Sequence, residues 1–271
     1  MVENKTLIFS KFPVTYPVPG QDLTITTSQI DLTTPPEGGI ILKTNYVSYD
    51  PFLRGKMRNV KSYTPGFQIG APLENNAIST VVASDNPRFK KGDVVIGNSS
   101  FAEYVAVPKE RADKEQYTGG LSALKNPLGL DPVIFLGALG MSGLTAYSSL
   151  YEIGKPEKGQ TIFISAASGA VGQIVGQLAK REGLTVIGSV GSDEKVKFAK
   201  ESLKFDAVFN YKTESPAGGL ARTLKELGKE GLDIYYDNVG GETLDAALEV
   251  MNNYSRISMN PLLLSMLENK G

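Results

Sequence analysis

The feature that most constrains this chain is a short turn of small residues, Ala166-Ala167-Ser168-Gly169-Ala170-Val171-Gly172, set between two different periodicities. Before it, Thr161-Ile162-Phe163-Ile164-Ser165 is a continuous apolar run that reads as a buried strand. After it, Val171, Ile174, Val175, Leu178 and Ala179 fall at i, i+3, i+4, i+7 and i+8, one face of a helix that ends near Gly183. The turn is an A-x-G-x-x-G variant of the dinucleotide fingerprint. Gly169 lets the backbone approach a pyrophosphate, Gly172 lets the helix pack closely on the strand, and the helix N-terminus offers unpaired N–H groups to the anion. Ala167 stands where the first glycine usually sits and still permits a tight turn. In isolation the pattern also fits a plain strand-to-helix turn; a strand before, a helix after and a second strand at the right distance favour the dinucleotide reading.

The alternation continues downstream. Residues 184–190, 207–210, 232–236 and 256–259 read as strands, and residues 193–203, 220–229 and 243–251 as helices. Such βα repetition predicts a parallel sheet, a Rossmann-type domain over residues 135–259. Upstream, residues 6–107 carry short runs (LTITT, GIILKTNYV, ISTVVAS, GDVVIG) between Pro- and Gly-rich turns, which predicts a small β-barrel or sandwich. Within it, Asn98-Ser99-Ser100 reads as a turn between two strands. Breakers at Gly119-Gly120, Asn126-Pro127 and Asp131-Pro132 put the domain boundary between residues 130 and 131, giving domains 1–130 and 131–271.

An NAD-specific site places an acid at the tip of its second strand to hold the ribose 2′-hydroxyl. Here the sequence is Ser189-Val190-Gly191-Ser192-Asp193-Glu194-Lys195: a small, neutral tip with a lysine one helical turn on. A 2′-phosphate fits and is neutralised, so the residues favour NADPH. Ser192 also suits a helix N-cap, with Asp193 and Glu194 favouring the helix dipole and Lys195 in solvent; the two readings are compatible.

The chain has no Cys and no His, the usual zinc ligands, so no metal site is expected. Histidine proton carriers and Cys or Ser-His-Asp nucleophiles are excluded for the same reason. With 28 basic against 29 acidic residues and a formal charge of −1, neither nucleic acid nor an anionic membrane is favoured as partner, and a small molecule is. The N-terminus lacks a signal-peptide pattern and the longest apolar stretch, residues 133–144, is short and broken by glycines, so a soluble cytoplasmic protein is expected.

A set of segments then resembles one family, the zinc-independent medium-chain dehydrogenase/reductases, in the branch of alkenal (one double-bond) reductases that includes prostaglandin and leukotriene B4 reductases. They are Val47-Ser48-Tyr49-Asp50-Pro51-Phe52-Leu53-Arg54, Ser62-Tyr63-Thr64-Pro65-Gly66, Phe89-Lys90-Lys91-Gly92-Asp93-Val94-Val95, and Gly140-Met141-Ser142-Gly143-Leu144-Thr145-Ala146-Tyr147. The fingerprint turn, Gly191-Ser192-Asp193-Glu194-Lys195, Phe209-Asn210-Tyr211-Lys212 and Tyr236-Asp237-Asn238-Val239-Gly240-Gly241-Glu242 follow in family order. The resemblance implies a GroES-like catalytic domain before the Rossmann domain, with NADPH in the cleft between them, and a homodimer. It implies that Ala167, Gly169, Ala170, Val171 and Gly172 meet the pyrophosphate. Ser192, Lys195 and Tyr211 would lie at the 2′-phosphate, Met141 and Thr145 beside the nicotinamide and phosphates, and Asn238 against the cofactor at the end of the fourth strand.

The implied reaction is hydride transfer to the β-carbon of an α,β-unsaturated aldehyde or ketone, with Tyr63 the first candidate for a catalytic hydroxyl. A turn tyrosine before Pro65 is the structural alternative for Tyr63, and a strand-end aromatic for Tyr211. A quinone reductase, or a catalytically weak NADPH-binding protein, are the competing functions. Three departures from the family stand out. Phe52 replaces a frequent tyrosine, and Leu73-Glu74-Asn75-Asn76-Ala77-Ile78 replaces a glycine-rich strand entry. Against the family pattern, which continues past the fifth strand, the C-terminal part of the usual fold is expected to be absent from this sequence, with a short apolar helix over residues 260–271.

Overall fold

The computed structural model describes residues 1–62 and 64–259, of residue 117 the backbone alone; the helix expected over residues 260–271 lies outside them. The chain divides into two compact units, Met1–Leu136 and from Gly137 onward.

The strand pairings of the first unit are antiparallel. Strands β1 (Val2–Phe9) and β2 (Leu23–Ile30) form a hairpin-like pair. After β3 (Ile40–Val47) and the short helix α1 (Phe52–Lys56) come β4 (Glu74–Ser84), β5 (Val94–Ser100), β6 (Tyr104–Val107), α2 (Lys109–Ala112) and β7 (Leu121–Ala123). The five later strands form one sheet in the order β6-β3-β4-β5-β7, and isolated bridges Thr6↔Ala102 and Ile8↔Pro72 tie the β1–β2 pair to the same body. This is the GroES-like barrel arrangement. Its core alternates along the strands: Ile40, Leu42, Val81, Val95 and Val107 pack with Phe89 and Leu121. A second cluster gathers Phe9, Leu53, Met57, Leu73 and Phe101.

Asn98-Ser99-Ser100 is not a turn. These residues continue β5, in register with Asn76, Asn75 and Glu74, and the chain reverses at residues 101–103. The Asn98 Nδ2 and Ser100 Oγ groups both donate to the Glu74 carboxylate, while the buried Ser99 hydroxyl has no partner among the described residues.

The second unit opens with α3 (Met141–Ser149) and continues as β8 (Thr161–Ile164), α4 (Gly172–Arg181), β9 (Thr185–Val190), α5 (Asp193–Glu201), β10 (Ala207–Asn210), α6 (Pro216–Leu227), β11 (Leu232–Asp237), α7 (Gly241–Leu248) and β12 (Met251–Met259). All pairings in this sheet are parallel and the order is β10-β9-β8-β11-β12, the doubly wound Rossmann order. Because strand side chains alternate faces, Ile162, Ile164, Val186, Val208, Ile234 and Tyr236 bury against Val175, Ala179 and Ala199 on one side. Phe163, Ile187, Phe209 and Tyr235 bury against Leu220, Leu224 and Ala247 on the other. The Phe163 ring stacks on Tyr235 (5.1 Å, 11°) and on Phe209 (5.9 Å, 16°), giving that face an aromatic spine.

Candidate functional site at the C-terminal edge of the parallel sheet

Parallel strands end on one edge, and in open α/β sheets ligands bind there, at the point where strand order reverses. In this unit that point lies between β8 and β11. The fingerprint turn leaves β8 here. The left-handed residue of the turn is Ala166 (φ 48°), one position before the expected glycine site, a backbone cost of roughly 1–2 kcal/mol for an L-residue. Ala167, fully buried, donates its N–H to Ser189 O at 2.9 Å, pinning the turn to β9. Gly172 is required by packing, since a Cβ there would stand 2.5 Å from Ala166 O and 2.9 Å from Ala167 Cα. A Cβ on Gly169 would meet only Ala166 O, at 3.1 Å, so that side of the turn stays open.

The helix starts on this edge differ in a way that bears on anions. α5 is capped by Ser192, whose Oγ accepts from Lys195 N, and α6 by Ser215, whose Oγ accepts from Gly218 N. Before α7, the Val239 and Gly240 N–H groups are taken by the Asp237 carboxylate. α4 starts without any side-chain cap. Its N-terminal turn, which carries Gly169, Ala170, Val171 and Gly172, thus fits a phosphate group.

At the tip of β9, Gly191 faces Tyr211: a Cβ at 191 would lie 2.7 Å from the Tyr211 hydroxyl. Tyr211 is tied down by its N–H to Val190 O at 3.0 Å and leaves its ring half exposed. Asp193, the first acid of α5, accepts from Asn210 Nδ2 at 2.8 Å, while Lys195 stands in solvent. Ser192, Lys195 and Tyr211 therefore share the β9–β10 end of the edge.

Asn238 follows β11 and is buried; its N–H donates to Ser165 Oγ at 2.9 Å and its Nδ2 to Ser165 O at 2.8 Å. Met141, partly exposed, begins α3, and Thr145 follows one turn on. The buried Tyr236 hydroxyl donates to Thr145 O at 3.3 Å and bonds Ser149 Oγ, fastening α3 to the end of β11; burial raises its pKa. Gly143 lets α3 approach the chain before it, since a Cβ there would overlap Ala138 O. Tyr63 lies outside the described residues. Ser165, Tyr235 and Asp237 were not singled out by the sequence reading. The available signal was a carboxylate directly after the apolar run Ile234-Tyr235-Tyr236, at the end of the strand Leu232–Asp237.

A five-stranded doubly wound sheet with this edge is the architecture of a dinucleotide-binding domain. Residues 5–114 match the family described as the N-terminal domain of oxidoreductase, and residues 170–260 the family described as zinc-binding dehydrogenase. The NADP-dependent oxidoreductase RED1 of Cochliobolus heterostrophus is 50% identical over 266 residues, 97% of this chain and 73% of that protein. The NADP(+)-dependent 2-alkenal reductase of Nicotiana tabacum is 40% identical over 262 residues, 95% of this chain and 72% of its own. Among solved structures, CurA from Vibrio vulnificus in complex with NADPH is 32% identical with a TM-score of 0.80, over 93% of this chain and 70% of that one.

The chain belongs to the medium-chain dehydrogenase/reductase family, in its zinc-independent alkenal/one double-bond reductase branch. The sequence has neither Cys nor His, and among the described residues no group of acids is placed to hold a metal ion. Among the same residues no helix is long and apolar enough to cross a membrane.

Proposed function

We propose that this protein is an NADPH-dependent reductase of the C=C bond of α,β-unsaturated aldehydes and ketones. The observation that carries the reading is the tip of β9, where Gly191 leaves room for the Tyr211 hydroxyl and Asp193 is engaged by Asn210. A ribose bearing a 2′-phosphate suits such a tip, whereas a free ribose has no strand-tip acid to hold its 2′-hydroxyl. The names of the tobacco and Cochliobolus relatives, and the NADPH complex of CurA, support the same cofactor. The tobacco relative's name supports the substrate class.

In this reading residues 1–130 form the catalytic domain and 131–271 the NADPH-binding domain. Ala167, Gly169, Ala170, Val171 and Gly172 form the turn that holds the pyrophosphate: the Ala167 and Gly169 N–H groups are spent on Ser189 O and Ala166 O and shape the turn, and the backbone at 170–172 and the α4 dipole face the anion. Ser192, Lys195 and Tyr211 hold the 2′-phosphate, with the lysine neutralising part of its charge. Asn238, Met141 and Thr145 line the nicotinamide end. When bound, the cofactor supplies the hydride that reduces the β-carbon. Tyr63 is the candidate donor of a hydrogen bond to the substrate carbonyl oxygen, where negative charge grows; a phenol with an ordinary pKa near 10 suits a donor better than a base.

The test is NADPH oxidation, followed by its near-ultraviolet absorbance, with a short 2-alkenal and in parallel a quinone, and with NADH as control. Alkenal turnover that requires NADPH is the expected result. Turnover of the quinone alone replaces the acceptor class, and no turnover with either acceptor overturns the reading.

A further inference from the structure

Asp237 ends β11 with a fully buried carboxylate that makes no ion pair among the described residues. Burying a carboxylate without a cation is costly, so its hydrogen bonds indicate what keeps it there. One oxygen, Oδ1, accepts from the Tyr235 hydroxyl at 2.7 Å, Val239 N–H at 2.8 Å and Gly240 N–H at 2.7 Å, with the Ser165 hydroxyl at 3.4 Å. The other, Oδ2, has no partner among the described residues. The two backbone donors draw the chain back onto the carboxylate. Gly240 (φ 74°) and Gly241 (φ 51°) supply the left-handed torsions that this reversal needs.

Asn238 is held inside that reversal. Its Nδ2 donates to the Ser165 carbonyl, which can only accept, so the orientation of the amide is settled: nitrogen toward β8, with Oδ1 left over as an acceptor. Its own N–H is fixed on Ser165 Oγ, the hydroxyl that also touches Tyr235 and Asp237. Ser165 ends the apolar run of β8 and Asp237 ends β11, the two strands that flank the switch point.

We propose that Asp237 is a positioning residue that holds the β11–α7 turn so that Asn238 offers a hydrogen-bond acceptor to the nicotinamide half of the dinucleotide. The proposal rests on the NADPH reading above. An acceptor at this point recognises a sugar hydroxyl or a carboxamide N–H and disfavours a phosphate. It lies on the β8–β11 side of the sheet, whereas the adenosine ribose belongs to the tip of β9. A ligand limited to the adenosine half therefore does not meet it.

The experiment is a double-mutant cycle of Asp237→Asn and Asn238→Ala in the full chain, reading dissociation constants for NADPH and for adenosine 2′,5′-bisphosphate. Each single substitution is expected to weaken NADPH about tenfold, the double no further, because one residue acts through the other. The bisphosphate constant stays unchanged throughout. If Asp237→Asn does not fold, Tyr235→Phe removes one donor from the same carboxylate and keeps the stacked ring; it is expected to weaken NADPH alone, by a smaller factor. Additive losses, equal losses for both ligands, or no loss of NADPH affinity overturn the positioning role while leaving the cofactor reading in place. A wild-type chain that binds neither ligand overturns both.

Discussion

The Tyr211 hydroxyl lies 2.7 Å from the position a Cβ on Gly191 would occupy, so a side chain at 191 would have to displace the Tyr211 ring from its present place on this edge. The glycine that removes the strand-tip acid is thus also the one that admits the tyrosine. Gly191→Asp should move Tyr211 aside and set a carboxylate where the 2′-phosphate is proposed to bind. Like charges brought together cost several kcal/mol, so kcat/KM with NADPH should fall by about 100-fold, 1.4 kcal/mol being a factor of ten. The NADH value should hold or rise. An unchanged ratio of the two would remove this edge from cofactor choice.

Lys195 contributes differently, because it is exposed and its charge is screened by salt. Lys195→Ala should raise the KM for NADPH about five- to tenfold at low ionic strength, in line with a single charge-assisted contact of about 1 kcal/mol, and leave the KM for NADH unchanged. The difference should shrink as salt is added. Equal effects on the two cofactors at every ionic strength would mean that the lysine serves only the surface of α5.

The two glycines of the fingerprint separate stability from binding. At Gly172 a methyl group would collide with backbone, 2.5 Å from Ala166 O, and overpacking of that kind costs about 1–3 kcal/mol. At Gly169 the same methyl meets one atom at 3.1 Å and otherwise points to open space, the space a pyrophosphate needs. Gly172→Ala should therefore lower the melting temperature of the apoprotein. Gly169→Ala should leave it within a degree or two of wild type, on the order of the ±0.5 kcal/mol of a surface change, and weaken NADPH. Differential scanning calorimetry with and without NADPH distinguishes them, and the reverse pattern would reject the assignment of their roles.

The Rossmann half was legible because apolar period and burial coincide there: β10 occupies residues 207–210 as read, since all four of its residues are buried. Where polar or small residues carry structure, apolar period gives no signal. α6 begins at Pro216 rather than 220, because its start is a Ser215 cap followed by Pro216-Ala217-Gly218-Gly219, small or ring-closed residues that carry no helical apolar period. Gly219 is there because a Cβ would lie 2.4 Å from the Phe209 ring, a fact of packing and not of pattern. β12 likewise begins at Met251 rather than 256; the pairing shifts register after Leu232↔Met251, and Tyr254 takes a left-handed φ of 62°. In the site, Ser192 is legible as the N-cap of α5, whereas Asn238 comes only from the resemblance to the family. Asp237 and Ser165 act through hydrogen bonds across two strands distant in sequence, which no local period encodes.

The barrel unit carries a pH-dependent contact in the segment that departs from the family pattern. Glu74 is partly buried, which disfavours its charge, but Arg111 Nη1 at 2.9 Å, with Ser100 and Asn98, outweighs burial and holds the carboxyl below its usual range. Arg111 also donates to Asn98 O, so one ion pair joins α2 to β4 and β5. A carboxyl whose pKa is lower folded than unfolded stabilises the fold above the ordinary carboxylate range, and that contribution is lost as pH falls through the lowered value. Glu74→Gln should thus cost about 1 kcal/mol near neutral pH, the size of a well-formed, partly exposed pair. Its melting curve should merge with that of wild type in acid below the carboxylate range. Glu74→Gln together with Arg111→Met should be less than additive at neutral pH. A penalty that persists unchanged into acid would show that Glu74 acts through packing and not through its charge.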